Sequence, residues 1–287
     1  MGIVHVSAGT SLSQAEFENG NLHSGFGNNN IIFNGGFTIN QRVYVSTAAL
    51  AAGVYGHDRW KAGAGGGDYS FTQLASPTTI TIAANKTLIQ VVENKNVYGG
   101  TYVLSWAGTC QARYAINSAT PVGAYADSPI TIAGQTAGTT MSVEFGKGAA
   151  SGTLGLAQLE LGSVATSFEF RPYSQELRLC QPYYEKNYNL VTPPGSNVIQ
   201  GSHLFTSRTA DQTDRIPVRF MVEKIALPTI VLYSITGAAG YIRNVDDANN
   251  VAATTAYAGQ YGFFMYPTAN LTANKAYAFY WTAEIEL

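Results

Sequence analysis

The sequence has few charged residues, and this shortage narrows the fold classes it can encode. Asp, Glu, Lys and Arg make up 12% of the 287 residues, about half of the roughly 25% found in ordinary soluble domains. Helices normally carry charged side chains on their exposed faces, so the composition disfavours a helical fold. Glycine, threonine, asparagine and tyrosine are plentiful instead, and short strands joined by tight turns use such residues. The composition predicts an all-β protein.

Cysteine and histidine are also scarce, and neither residue type falls in a metal-binding or redox pattern. The two cysteines, Cys110 and Cys180, are far apart and form no C-x-x-C pair. We expect both to be buried as small apolar side chains rather than to form a disulfide. The four histidines are dispersed along the chain.

Basic clusters and long apolar runs are absent as well. The net charge is −2, and a protein that binds nucleic acid or an anionic membrane needs a concentrated positive surface. No apolar stretch is long enough to span a membrane, and no secretion leader opens the sequence. We therefore expect synthesis in a cytoplasm, with neither nucleic acid nor a membrane as partner.

The chain divides into three parts. Residues 1–30 are too few to bury a core, and their apolar residues need a partner surface. We predict an attachment segment that binds other proteins through Ile3, Val4, Val6 and Phe17. A first domain is predicted over residues 31–185 and a second over residues 196–287, separated by the turn sequence TPPG at 192–195.

Alternating apolar and polar residues mark the strands of both domains. In the first domain the segments are 79–82, 87–93, 101–107, 111–116, 130–132, 141–145 and 154–161. In the second they are 215–220, 229–233 and 276–285. Short strands at regular spacing with glycine turns predict two jelly-roll-like β-sandwiches in tandem. In the strand 154–161 the alternation places Gln158 and Glu160 on the exposed face.

One short helix is predicted between the domains. Ser174 is a candidate N-cap, and Leu177, Cys180 and Tyr184 fall on one face of a helix at this spacing. Pro182 limits the length of the helix. The segment is thus a connector rather than part of a helical domain.

Three motifs in the first domain resemble those of bacteriophage tail-fibre domains. Residues 30–42 read NIIFNGGFTINQR, residues 55–60 read YGHDRW, and residues 156–169 read LAQLELGSVATSFE, followed by RPY at 171–173. The three are specific when found in this order, and they frame residues 30–185. The resemblance makes Trp60 a core residue and gives Asp58 and Arg59 the role of fixing a loop.

The family resemblance implies a carbohydrate-binding-module-like sandwich in a virion protein. It implies a homotrimeric tail fibre or fibre tip that binds bacterial surface polysaccharide, with residues 1–30 contacting other virion proteins. The alternative is a head fibre or capsid decoration protein with the same modules. Some such modules hold a structural calcium. Here Gly36 replaces the acidic residue of the opening motif, which leaves Glu160 as a weak calcium candidate.

Aromatic and amide side chains near the end of the chain are the candidates for contact with a glycan. Sugars stack on aromatic rings, and amides bind their hydroxyls. The predicted binding residues are Tyr257, Tyr261, Tyr266, Asn249 and Asn250. Burial in a core or a subunit interface is the competing interpretation for any single ring, and we expect it for Phe263, Phe279 and Trp281.

No catalytic motif is apparent in the sequence. Polysaccharide cleavage requires two neighbouring carboxyl groups, and the sequence alone does not bring any pair together. The candidates are Asp127, Glu144, Glu160, Asp246 and Asp247. We expect a non-enzymatic protein, with a polysaccharide depolymerase as the second alternative.

Overall fold

The computed structural model describes residues 29–74 and 76–286, and their regular structure is almost entirely β-strand. The strands are β1 (Lys61–Ala62), β2 (Tyr69–Ser70), β3 (Ile80–Ile82), β4 (Thr87–Val92), β5 (Gly100–Ala107), β6 (Gln111–Ile116), β7 (Ile130–Gln135), β8 (Met141–Gly146), β9 (Gly152–Leu161), β10 (Tyr184–Lys186), β11 (His203–Thr206), β12 (Ile216–Arg219), β13 (Thr229–Ser234), β14 (Tyr241–Asn244), β15 (Asn249–Gly259), β16 (Gly262–Pro267) and β17 (Ala276–Glu284). A 3-10 turn (Asn94–Asn96) and the helix α1 (Tyr173–Cys180) accompany them. The all-β prediction is confirmed.

The predicted attachment segment falls almost wholly outside these residues. Ile3, Val4, Val6 and Phe17 are not among the described residues, and their role stays a prediction. No helix within the described ranges is long and apolar enough to cross a membrane.

The first domain is a sandwich of two antiparallel sheets. One sheet has the strand order β1-β4-β8-β6, and the other has the order β2-β3-β9-β5-β7. All seven segments predicted as strands in this domain are strands. The inner faces of both sheets enclose a single apolar core, which includes Trp60, Phe145 and Leu159. Cys110 and Cys180 are buried and free, as predicted.

The opening motif forms a compact loop that supports this core. Asn34 has φ 57°, a left-handed conformation that asparagine tolerates better than most residues. Its amide donates to the carbonyls of Ile39 and Asp58, while its side-chain oxygen accepts the N–H groups of Thr38 and Ile39. Trp60 donates its indole N–H to the Asn34 carbonyl at 2.9 Å. The motif residues therefore hold the loop and the core together, which explains why Trp60 is fully buried.

Two strand residues predicted to be exposed are buried instead. Gln158 and Glu160 retain 1% and 3% exposure, because the segment that follows β9 folds back over them. Gln158 accepts the N–H of Glu169, and Glu160 accepts hydrogen bonds from the N–H and hydroxyl of Thr166 at 2.8 and 2.6 Å. A register shift near Leu156, which has φ 52°, interrupts the predicted alternation, so that Leu154, Ala157 and Leu159 enter the core and Leu156 does not. The covering segment makes the predicted solvent face wrong.

The connecting helix also differs in detail from its prediction. Pro172, not Ser174, occupies the N-cap position and makes no side-chain capping bond. The buried residues of the helix are Glu176 and Cys180, and Glu176 accepts the backbone N–H of Asn34. Tyr184 lies beyond the helix in β10. The helix therefore packs through a hydrogen-bonded carboxylate rather than through a leucine face.

The second domain is one continuous eight-stranded sheet folded over a second core. The path runs β10-β17-β14-β15-β16-β12, with β11 and β13 also paired to β17. The three segments predicted here are strands, and β17 is the central one. Phe263, Phe279 and Trp281 are buried in the core between the folded layers, as expected. The strand β10 begins within residues 31–185 and ends at Lys186, yet it pairs with β17, so this sheet starts before the predicted domain boundary.

A cluster of charges, all largely buried except Glu284, joins the two domains. Arg59 contacts Glu93 of its own domain and Glu286 of the second domain, each at 2.7 Å. Arg42 contacts Glu284 at 3.1 Å and Glu286 at 3.3 Å. We call these five residues the interdomain clamp. Burial alone would lower the pKa of the Arg59 guanidinium. The two carboxylates, Glu286 and Glu93, outweigh burial and raise this pKa.

Tyrosine rings complete the interdomain clamp. The Arg59 guanidinium lies 3.4 Å from the centroid of Tyr183, and that of Arg42 lies 3.9 Å from the centroid of Tyr184. Both tyrosines follow the connecting helix, at the end of the range predicted for the first domain. Asp58 does not contact Arg59; it accepts two hydrogen bonds from Gln41 instead. Asp58 thus holds the loop of residues 40–42 by charge-assisted hydrogen bonds and lies 3.7 Å from Arg42, while Arg59 donates to the Val91 carbonyl.

Candidate functional site

The aromatic residue with the greatest exposure in the second domain lies on an irregularity of β15. The pairing of β15 with β16 shifts register between Ala256 and Gly259, which marks a β-bulge. Tyr257 lies in this bulge with φ 50° and is 83% exposed. Bulges redirect side chains, and a tyrosine in the left-handed region is strained. The backbone therefore holds this ring in solvent at an energetic cost.

Two further aromatic side chains lie beside Tyr257. Its ring meets that of Phe264 edge to face, with centroids 6.1 Å apart. Tyr261, in the turn after β15, is 60% exposed. We call Tyr257, Tyr261 and Phe264 the aromatic ledge. They border a depression of about 230 Å³, whose other lining residues are Pro217, Val218, Arg219, Gly259, Gln260, Gly262 and Phe263.

The turn that carries Tyr261 is anchored from below. Lys224 donates its backbone N–H to the Gln260 carbonyl at 2.9 Å, and Gln260 returns a side-chain bond to the Lys224 carbonyl at 2.7 Å. The Lys224 ammonium is itself buried in an ion pair with Glu185 at 2.6 Å. Burial lowers the pKa of Lys224, against the opposing effect of Glu185. The ledge is thus supported by a hydrogen-bonded chain that reaches β10.

One carboxylate near the aromatic ledge is hydrogen-bonded to a ledge residue. Glu223 accepts a hydrogen bond from Tyr261 and raises the pKa of that hydroxyl. Arg219 lines the depression. Aromatic rings flanked by hydrogen-bonding groups suit a ligand with both apolar faces and hydroxyls.

The structure brings together only some of the residues that the sequence suggested as glycan contacts. Tyr257 and Tyr261 share the ledge. Tyr266 lies two residues beyond Phe264 on the same outer face of β16, but it does not line the depression, and its ring lies 3.6 Å from the Arg215 guanidinium. Asn249 and Asn250 are at the opposite end of β15, roughly 25 Å from Tyr257 at about 3.3 Å per residue. Asn250 is engaged by Thr236 and Arg243. The asparagines therefore do not share a surface with the two tyrosines.

Sequence reasoning did not select Phe264 or Arg219 as site residues. Phe264 is on the outer face of β16 because Phe263 and Met265, its neighbours, fill the core. Had β16 been predicted as a strand, the alternation of buried and exposed residues would have placed Phe264 on its outer face. Nothing in the sequence indicates that a bulge redirects Tyr257.

The carboxylates considered for catalysis or metal binding all have structural partners. Asp127 accepts from Gln111, Glu144 pairs with Arg113, Glu160 accepts from Thr166, Asp246 accepts from the backbone of Ala276, and Asp247 pairs with Lys275. Within the described ranges, no three His, Cys, Asp or Glu side chains lie close enough to hold a metal ion. The calcium role of Glu160 stays a prediction.

Comparisons with known proteins return no family and only distant structural similarity. No family model matches the chain, and no curated protein matches it. Among solved structures, it is similar to discoidin II from Dictyostelium discoideum (10% identity over 76% of this chain and 80% of that chain, TM-score 0.22). It is also similar to the N-terminal CBM22-1-CBM22-2 tandem domain of Paenibacillus barcinonensis Xyn10C (11% identity, 84% and 97%, TM-score 0.24). A third is a Paenibacillus cycloisomaltooligosaccharide glucanotransferase complexed with cycloisomaltoheptaose (10% identity, 85% and 46%, TM-score 0.22). Similarities of this size assign neither a family nor a ligand to the chain.

Proposed function

We propose that this chain is a carbohydrate-binding protein of a bacteriophage particle and that the aromatic ledge contacts the sugar. The observation that carries the proposal is Tyr257, held 83% exposed on a strained bulge beside a depression of about 230 Å³. Strain of this kind costs of order 1–3 kcal/mol and is concentrated at binding sites. Exposed rings beside hydrogen-bonding groups match the amphipathic faces of sugars.

The placement on a phage particle rests on the motifs of residues 30–185. A tail fibre or fibre tip that adsorbs to bacterial surface polysaccharide is the role we propose, as a homotrimer joined to other virion proteins through residues 1–30. The contacts of Asn34, Trp60 and Arg59 support a framework role for these motifs. Because the motif residues form the framework of the fold, we expect the sugar to contact other surfaces, among them the aromatic ledge.

Binding fits Glu284 and Glu286, the two carboxylates that share Arg42, better than cleavage does. Glycoside hydrolysis needs a pair of carboxyl groups, one of them able to donate a proton. Glu284 and Glu286 both contact the Arg42 guanidinium, and Glu286 also pairs with Arg59. Carboxylates held by guanidinium groups are suited to act as anchored acceptors rather than as proton donors.

The test is a binding measurement on bacterial surface polysaccharides with the full-length chain and single tyrosine variants. We expect Tyr257→Ala and Tyr261→Ala each to weaken binding by about two- to tenfold, since a stacked ring contributes about 0.5–1.5 kcal/mol. The matched control is Tyr98→Ala, because Tyr98 is 66% exposed on the first domain and should leave binding unchanged.

Two results would contradict the proposal. Equal binding by the wild type and both ledge variants would remove the ledge from the site. Shortening of the polysaccharide during incubation would replace binding with depolymerisation. Cryo-electron microscopy of the phage particle then distinguishes a tail fibre from a head fibre by showing where the chain is attached.

A further inference from the structure

A second and larger concavity lies between the two domains. It has a volume of about 740 Å³, within the roughly 300–1,000 Å³ of small-molecule sites. The first domain contributes Arg42, Gly53, Val54 and Tyr55. The opposite side is formed by the second domain and the connector. We call this concavity the interdomain cleft, and the aromatic ledge does not contribute to it.

The floor of the interdomain cleft is the outer face of three paired strands. Glu284 of β17 pairs with Tyr184 of β10 on one side and with Thr229 of β13 on the other. Directly paired residues of antiparallel strands point to the same face. The next row on this face places Thr282 opposite Val231. Hydroxyl, carboxylate and apolar groups therefore alternate across a single surface.

Glu284 is the carboxylate of the interdomain cleft that is open to a ligand. Its side chain is 46% exposed, whereas that of Glu286 is 1% exposed. Both oxygens of Glu286 are already engaged by arginines. One oxygen of Glu284 accepts from Arg42 at 3.1 Å, which fixes the orientation of the group. An oriented, half-exposed carboxylate is a strong acceptor for hydroxyl groups.

The charges of the interdomain cleft select against anions. Its lining contains one cation, Arg42, and two carboxylates, Glu284 and Glu286. Arg42 is already committed to both carboxylates and lies against the ring of Tyr184. Lys186, which pairs with Thr282 on this face, is likewise committed, to the carbonyls of Leu190 and Thr192. A carboxylate of an acidic saccharide would therefore approach the exposed Glu284 without a cation to pair with, which costs free energy.

We propose that the interdomain cleft is a second saccharide site, that it takes uncharged oligosaccharides, and that Glu284 binds their hydroxyls. Thr229, Thr282 and the tyrosine edges supply further hydrogen-bonding groups, and Val54, Val231 and Leu227 supply apolar surface. The rigid clamp beneath the cleft pre-organises these groups, which reduces the entropy cost of binding. This site is independent of the aromatic ledge and can be present whether or not the ledge binds sugar.

The experiment uses the full-length Tyr257→Ala/Tyr261→Ala protein, so that the ledge does not contribute. Maltohexaose, cellohexaose and chitohexaose are titrated as uncharged probes and hexagalacturonate as the anionic one, with hydrogen exchange followed by mass spectrometry. We expect at least one uncharged probe to slow exchange at residues 53–55 and 229–233, and hexagalacturonate to have no effect.

Two substitutions in the same background test the residues involved. Thr229→Trp places a large ring on an exposed position of the floor and should abolish the protection. Glu284→Gln should weaken binding of the uncharged probe by about tenfold, since it removes a charged acceptor. Asp127→Asn, a change at an exposed carboxylate of the first domain, is the control and should have no effect.

Three outcomes would overturn the inference. The first is no protection of these residues by any uncharged probe up to about 10 mM, where even weak sites are occupied. The second is protection that persists in Thr229→Trp. The third is binding of hexagalacturonate as tight as that of the uncharged probes. Loss of ledge binding alone concerns only the proposed function.

Discussion

Aromatic rings have opposite surroundings in two regions of this molecule. In the first domain, Phe37 stacks on Trp60 with centroids 4.8 Å apart and meets His57 edge to face at 5.7 Å. All three residues are fully buried. In the second domain, the aromatic ledge places Tyr257 and Tyr261 in solvent. Phe37 and Tyr257 share a positive φ, 52° and 50°, so burial is what separates them. Strain at a buried ring is offset by core packing, whereas strain at an exposed ring has no such compensation and indicates contact with something else.

The comparison is tested most strongly by removing a ring from the buried cluster. Trp60→Ala should lower the free energy of unfolding by about 3–5 kcal/mol, because it leaves a cavity and deprives the Asn34 carbonyl of its indole donor. Urea unfolding measures the change. The exposed Tyr98→Ala serves as the control and should shift stability by less than about 0.5 kcal/mol. A loss below about 1 kcal/mol in Trp60→Ala would contradict the role assigned to this cluster.

The buried cluster also predicts how stability depends on pH. Burial lowers the pKa of His57 to about 4 from its usual 6.5, although the hydrogen bond to Gln73 opposes the shift. The unfolded chain therefore binds a proton between these values that the folded chain does not. Above pH 6.5 this difference in proton binding does not reduce the free energy of unfolding. As the pH falls from 6.5 toward 4, the free energy of unfolding decreases by on the order of 3 kcal/mol in total.

Comparison with a histidine-free variant isolates this effect. His57→Gln keeps hydrogen-bonding capacity without a titrating group, so its unfolding free energy should depend less steeply on pH between 4 and 6.5. The pKa of His203 is also lowered by burial, but His203 is present in both proteins and its contribution cancels. Identical pH profiles for the two proteins would show that His57 is not responsible.

Much of the first domain could be predicted from the sequence because its strands carry their own signal. Segments such as 87–93 and 141–145 combine β-branched and apolar residues between glycine-rich turns, and each is a strand. By contrast, β15 consists mostly of Ala, Thr, Asn and Val, with Tyr257 as its one aromatic residue, and has no clear alternation. This segment is a strand because it pairs with β14 and β16, and not because its own residues favour one.

Long-range partners explain most of what sequence reasoning missed. Arg59 and Glu286 are 227 positions apart, and no local pattern links them. Gln158 and Glu160 alternate as solvent-facing residues do, yet a later segment covers them. The motifs identify which residues are structurally constrained, but the identity of each partner depends on the folded chain.

The aromatic ledge itself offers the smallest but most discriminating test. Asparagine tolerates the left-handed region that Tyr257 occupies at φ 50°. Tyr257→Asn should therefore leave the free energy of unfolding unchanged or raise it by up to about 1 kcal/mol, while polysaccharide binding falls by about two- to tenfold. Thermal unfolding and a binding titration on the same protein measure both effects.

Tyr98→Asn is the matched control, since Tyr98 is exposed but does not have a positive φ. It should bring no gain in stability and no loss of binding. If Tyr257→Asn instead destabilised the fold by more than about 1 kcal/mol, the ring would contribute to packing through Phe264. A residue whose replacement improves the fold while it impairs binding is one that the ligand, rather than the core, requires.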